Sequence, residues 1–292
     1  MKFSDNIKGA ILISTSMAAY VTNDALMKLS AESLDLPQAI FIRGIFASVI
    51  IFFMSKIKVN IKLRDFLREW KLFLYRIVGE IGSTFCFLHA IFNMPLANAT
   101  AILQSLPMAI TLGAIIFFGE RVGHKRWVAI IIGFAGVLLI IRPGSDGFNE
   151  FSFYAVLAVA FIVIRDLVTR KISSKVPSNF ISLMSAVVIT ISGGLLIPFS
   201  GWHPVSEINI YYLGGAALLL SFGSLFNIMT MRVGEVSFTA PFRYTLLLWA
   251  TLLGGLLFNE LPDLITILGS LIVVSSGIYM IKRENYLKQR YK

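Results

Sequence analysis

Charge is what this sequence has least of. Only 14% of its 292 residues are Asp, Glu, Lys or Arg, against roughly 25% in soluble globular domains, and that shortage excludes an ordinary water-soluble fold. A single cysteine, Cys86, leaves no internal disulfide framework, and its expected role is that of a small packed side chain. Three histidines with no Cys or His cluster at ligand spacing give no metal site, and no cofactor is expected. No Walker pattern and no large polar domain is present, which sets aside an ATP-driven pump.

What fills the chain instead is apolar: 57% hydrophobic residues and a mean hydropathy of +0.79. Ten runs are each long enough to cross about 30 Å of hydrocarbon as a helix. They lie near 8–30, 36–55, 71–92, 96–118, 125–142, 151–172, 179–198, 208–231, 236–258 and 262–281. The expectation is an all-α integral membrane protein with two halves, 1–145 and 146–292. A signal-peptide reading of the first run is rejected, because the run continues into Asp24 and Lys28.

The net charge of +10 is a matter of distribution. With a cytoplasmic N-terminus, the inner segments hold Lys2 and Lys8, the cations from Lys56 to Lys71, Arg121, Lys125, Arg126, Arg170, Lys171, Lys175, Arg232 and those from Lys282 onward, while the outer loops hold only Arg142. This is the positive-inside pattern, placing both termini in the cytoplasm of a cell inner membrane, and it leaves no need for a nucleic-acid partner. The segment Asn60 to Phe73 alternates cations with Leu63, Phe66, Leu67 and Trp70, as an interfacial helix on the lipid surface does.

A charge at the bilayer centre costs roughly 2.5 to 3.5 kcal/mol on insertion scales, so each intramembrane charge is a functional candidate. Asn23-Asp24-Ala25-Leu26-Met27-Lys28 recurs as Arg165-Asp166-Leu167-Val168-Thr169-Arg170, 142 residues on. Leu96 to Glu120 aligns without gaps on Val236 to Glu260 at an offset of 140. Five spans per half is an odd number, so the second half runs through the membrane inverted, the arrangement of carriers with a midplane substrate site.

The runs Pro95-Leu96-Ala97-Asn98-Ala99-Thr100, Gly119-Glu120-Arg121-Val122-Gly123, Gly133-Phe134-Ala135-Gly136-Val137 and Arg142-Pro143-Gly144 resemble the EamA-type drug/metabolite transporters. That resemblance covers nearly the whole chain and implies ten spans in two inverted five-helix repeats. The early Asn-Asp and the later Arg-Asp-Leu-Val-Thr-Arg resemble most the branch that includes S-adenosylmethionine uptake carriers. It implies a secondary transporter of a small amino-acid-like metabolite, zwitterionic or cationic. Exporters of amino acids or other metabolites are the alternative within the family.

Among the residues themselves, Glu80 lies roughly 13 Å deep, about nine residues in at 1.5 Å each, one turn from Arg76. It is the candidate central carboxylate and proton site. Asp24 and Arg43 share a depth near the outer ends of their helices, and Asp166 and Arg243 match near the inner face. They are expected as two gating ion pairs, or as mere neutralisers of buried charge. Gln104 and Tyr244, aligned at offset 140, are expected to join Glu80, Asn98, Phe87, Asn227 and Trp249 around a central cavity for an amphipathic solute, or else to fill helix interfaces. Pro107 and Pro241 are expected to bend the fourth and ninth spans. His89 is expected to pack. A channel would need a ring of like charge and an intramembrane lipid enzyme a cluster of His or carboxylates at one interface; the sequence has neither, and no enzymatic activity is expected.

Overall fold

The computed structural model describes residues 3–55, 69–119, 123–143, 149–169, 171–172, 176, 178–233 and 236–290. Among the described residues every regular element is a helix, as the rule that lipid-embedded backbone must satisfy its own hydrogen bonds demands of continuous apolar runs. The first elements are α1 (Phe3–Ser30), α2 (Leu36–Ser55) and α3 (Trp70–Asn93), then α4 (Leu96–Leu103), α5 (Leu106–Phe118) and α6 (His124–Ile141). There follow α7 (Ser152–Thr169), α8 (Ser178–Ser200), α9 (Glu207–Val233), α10 (Val236–Thr239), a 3-10 turn (Ala240–Tyr244), α11 (Thr245–Phe258) and α12 (Leu264–Arg290). Eight of these runs are long and apolar enough to span a bilayer, with α4–α5 and the 3-10 turn with α11 each counted as one. The others, α1 and α3, carry Asp24, Lys28, Arg76 and Glu80. Of the Asn60 to Phe73 segment, residues 60–68 lie outside the described residues, and Trp70 to Phe73 form the first turn of α3.

The outside of the bundle is apolar. Phe199, Phe53 and Leu256 are 88%, 75% and 72% exposed, an arrangement that is stable only where the solvent is lipid. The interior is lined by small side chains and zero-exposure residues such as Ala25, Ile40, Ala99, Ile102, Ala155 and Ala216.

Four helix pairs make the principal contacts: α1 with α9, α3 with α7, α2 with α8, and α6 with α12. Small residues permit the closest of these approaches, as they do between helices in lipid. A Cβ on Gly82 of α3 would lie 2.6 Å from the Phe161 ring of α7, and one on Gly223 of α9 would lie 2.9 Å from the Tyr20 ring of α1. Phe161 follows Tyr20, and Gly223 follows Gly82, by the same 141 residues. Ser48 of α2 and Thr190 of α8, 142 apart, face each other with their hydroxyl oxygens 3.4 Å apart.

Two spans are interrupted. The fourth breaks at Gln104–Ser105, between α4 and α5, with Pro107 just inside α5. The ninth tightens into the 3-10 turn from Ala240, with Pro241 at its start, and resumes as α11 at Thr245. The break at Ser105 and the restart at Thr245 are 140 residues apart, so the interruption falls at matching positions.

Candidate functional site

The cavity at the centre of the bundle has a volume of about 360 Å³, and α1, α2, α3, α7, α8 and α9 all contribute to its wall. Of the residues expected from the sequence, it brings together Asp24, Arg43, Arg76, Glu80 and Phe87. Glu80 projects from the third turn of α3, where Gly79 lets α7 approach until its own missing Cβ would meet Arg165 at 2.9 Å.

That approach decides the electrostatics. Glu80 accepts from Arg76 Nη2 at 3.1 Å, as the i,i+4 spacing on one helix foretells. Its other oxygen lies 3.7 Å from Arg165 Nη1, while the Ser185 hydroxyl of α8 donates at 3.1 Å to the same oxygen as Arg76. Arg76 also donates to the Thr169 hydroxyl at 2.5 Å and to Ser185 at 3.0 Å. Arg165 donates from Nε to Asp166 at 2.9 Å. Two carboxylates and two guanidiniums thus form one network with no residual charge, the condition under which buried ions are tolerable.

Asp24 and Arg43 make a different arrangement. No direct ion pair joins them. The Asn23 amide lies between, donating to Asp24 Oδ1 at 2.8 Å and accepting from Arg43 Nη1 at 3.3 Å. Asn23 and Arg43 are 3% and 7% exposed.

The expected Asp166–Arg243 ion pair is corrected by these contacts. Asp166 is taken by its neighbour Arg165, and Arg243 donates to Asn227 Oδ1 at 3.0 Å, although it remains within electrostatic reach of Asp166 and Tyr20. Gln104, Asn98, Asn227, Tyr244, Trp249 and Arg243 do not line the central cavity. Tyr244 borders a separate, mostly apolar cavity of about 640 Å³ between α11 and α12, and Trp249 a groove against α1. Tyr244 Oη, Gln104 Nε2 and Asn98 Oδ1 are buried without a hydrogen-bond partner among the described residues. His89 packs, its ring 4.6 Å from Tyr154 and 5.4 Å from Phe151.

Sequence reasoning missed Arg165, Asn23 and Ser185 as site members. Arg165 and Asn23 were legible as the residues preceding the repeated Asp; Ser185, on an apolar helix with several serines, gave no signal.

Above the cavity, the turns after α1, α3, α6, α8 and α11 are stitched together. Lys28 donates to both Glu260 oxygens at 2.7 Å and to the Met94 carbonyl at 2.8 Å, beneath the Phe258 ring at 4.8 Å. Glu260 in turn accepts from the Leu96 N–H at 3.2 Å. His203 contacts Asp35 at 3.1 Å and exchanges two hydrogen bonds with Gln38, Asn209 donates to Ser33, Asn149 donates to Asn93, and Arg142 pairs with Asp263. On the opposite face Lys171 lies over the Phe118 ring at 4.6 Å, echoing Lys28 over Phe258; Glu120, the counterpart of Glu260, lies outside the described residues.

Residues 7–142 match the EamA-like transporter family. The chain is 24% identical over 284 residues to an S-adenosylmethionine uptake transporter of Rickettsia conorii, covering 94% of this chain and 92% of the relative. It is 25% identical over 289 residues to a riboflavin transporter of Vibrio cholerae, covering 97% and 96%. A pseudopaline exporter of Pseudomonas aeruginosa is 23% identical over 286 residues, covering 94% and 96%. A solved crystal structure 17% identical in sequence superposes with a TM-score of 0.58 over 93% of this chain and 97% of its own, a likeness of fold. Residues 7–142 thus resemble the EamA-like transporter family, and relatives named as transporters that match along nearly the whole chain support a multi-pass membrane transporter of a small metabolite.

Proposed function

We propose that this protein is a secondary carrier of the bacterial inner membrane, with ten spans in two inverted five-helix halves, 1–145 and 146–292, and both termini cytoplasmic. The central cavity carries this reading: it is charged, lies between helices of both halves, and has one face closed by contacts that an alternating-access cycle has to break. The inverted relation is supported by the packing, because exchanging the halves turns α1 on α9 into α7 on α3 and returns α2 on α8 and α6 on α12 to themselves. The matching helix interruptions support it too. With the termini cytoplasmic, the stitched face is periplasmic and the form described is closed to the outside.

The solute is a small amino-acid-like metabolite, zwitterionic or cationic, of which S-adenosylmethionine is one example. Export of amino acids or other metabolites is the second reading, favoured by the likeness to an exporter as well as to uptake carriers. Glu80 is the coupling carboxylate, exchanging Arg76 and Arg165 for a proton or another partner as the helices move. Counterflow with purified protein in liposomes tests the reading, after thermal-shift screening of amino acids, nucleosides, S-adenosylmethionine, riboflavin and quaternary amines. A true ligand at a hundred times its dissociation constant stabilises by about 2.7 kcal/mol. Saturable counterflow of a stabilising solute is expected; conductance without saturation would mark a channel. With Glu80→Gln, transport is expected to lose its pH dependence, and a wild-type pH profile would remove Glu80 from the coupling role.

A further inference from the structure

We infer that Asp24, Asn23 and Arg43 form the subsite for the amino-acid headgroup of the solute, the α-carboxylate docking on Arg43 and the α-ammonium on Asp24. This rests on the carrier reading and assigns the headgroup to specific atoms. The two halves supply an internal comparison. In the second half the residue before the repeated Asp is Arg165, which closes directly on Asp166 at 2.9 Å. In the first half that position is Asn23, which makes the same neighbour contact with Asp24 at 2.8 Å but brings no charge. One Asp is neutralised by its neighbour and the other is left open.

The charge count points the same way. Arg76, Arg165, Glu80 and Asp166 balance among themselves, so the charges on the cavity wall that remain without an ion-pair partner among the described residues are Asp24 and Arg43. Two opposite charges at one depth in a low-dielectric cavity would ordinarily close on each other. Here the Asn23 amide occupies the line between them, its nitrogen toward the carboxylate and its oxygen toward the guanidinium. Arg43 spends one long hydrogen bond on Asn23 among the described residues, which leaves the fork that binds carboxylates bidentately. A ligand with a cation and an anion on one carbon completes both groups at once, whereas a ligand of a single charge leaves one of them uncompensated. Phe87 and Leu103 on the same wall offer apolar surface to the rest of the molecule.

The test compares L-methionine and S-adenosylmethionine with two analogues each, one lacking the carboxylate charge (methionine methyl ester, decarboxylated S-adenosylmethionine) and one lacking the ammonium charge (the N-acetyl derivatives). Binding to the full-length protein in detergent is read by calorimetry and thermal shift. At least one intact zwitterion is expected to bind, with each analogue weaker by about tenfold to a hundredfold. Arg43→Lys should weaken the zwitterion by a similar factor and erase its advantage over the ester. Asn23→Ala lets Asp24 and Arg43 meet, so the melting temperature should hold or rise while zwitterion affinity falls at least tenfold, a divergence that a purely structural role for Asn23 does not produce. Unchanged zwitterion affinity in Arg43→Lys and Asn23→Ala overturns the assignment, as does failure of both zwitterions to bind. If riboflavin or another solute without an amino-acid group shows saturable counterflow that these variants leave intact, the carrier reading stands and the headgroup subsite falls.

Discussion

At the residue scale, Glu80 shows how a carboxylate enclosed among helices is made tolerable. Its charge is shared by Arg76 and Arg165 with Ser185 as a third contact, and breaking a buried pair by removing one partner costs about 3–5 kcal/mol. Glu80→Gln should therefore lower unfolding stability by about 3 kcal/mol, and adding Arg76→Gln should restore much of the loss. Chemical unfolding of the two single variants and the double variant closes that cycle; additive losses would mean that the pair does not interact. Asp263 makes a second residue-scale case outside the membrane. Its hydrogen bonds from Arg142 and Thr266 hold the carboxyl down to about 2, from an ordinary 3.8. Because the folded value is the lower one, the contribution is present above about pH 4 and disappears as pH falls toward 2. The side chain is half exposed, so Asp263→Asn should cost no more than about 1 kcal/mol at neutral pH. Melting curves of the variant and the wild type should converge in acid.

At the element scale, the α3–α7 interface couples packing to charge. Gly79 and Gly82 bring α7 close enough for Arg165 to reach Glu80. A Cβ on Gly82 meets the Phe161 ring rather than a flexible tip, so Gly82→Ala should destabilise by about 1–3 kcal/mol through overpacking. Phe161→Leu should relieve part of it, as thermal melting of the double variant would report. A neutral effect of Gly82→Ala would mean that the helices have slack there. The Arg76–Glu80 pairing was legible by counting along the helix, because i,i+4 neighbours share a face. Which face looks inward was not. Successive helical residues point about 100° apart, so Asp166 and Arg243, expected at one depth, find different partners, and Gln104 and Tyr244 align in sequence without reaching the central cavity.

At the scale of the whole molecule, the Lys28–Glu260 pair ties the end of α1 to the turn after α11, and in the carrier reading it holds the outer face closed. Lys28 is 9% exposed, and Glu260→Gln removes the opposing charge, leaving its ammonium only neutral acceptors such as the Met94 carbonyl and the Phe258 ring. The closed form should lose about 3 kcal/mol, a shift of more than tenfold toward the open form. Spin labels at Glu32 and Leu261 should then report a longer distance than in the parent protein; an unchanged distance distribution would deny the latch. Topology has an equally direct reading. In a Cys86→Ser background, cysteines placed at Trp202 and Leu261 should react with an impermeant thiol reagent from outside the cell and one placed at Lys125 only from inside. Labelling of all three from one side would end the inverted arrangement.

By itself the sequence determined that the chain is helical and membrane-embedded and roughly where its apolar runs lie, although the first and last helices extend past those runs to Phe3 and Arg290. Those properties follow from composition and from counting at a fixed rise per residue along an uninterrupted apolar run. The likeness between its halves was equally legible in the paired Asp motifs and the aligned fourth and ninth spans. Only the tertiary structure decided which groups meet. Helix rotation and the distance of closest approach are set jointly by two packed surfaces, and no single helix carries that information. Hence Arg165, recognisable in the sequence only as the neighbour of a repeated Asp, becomes the partner of Glu80, while Asn23 keeps Asp24 and Arg43 apart.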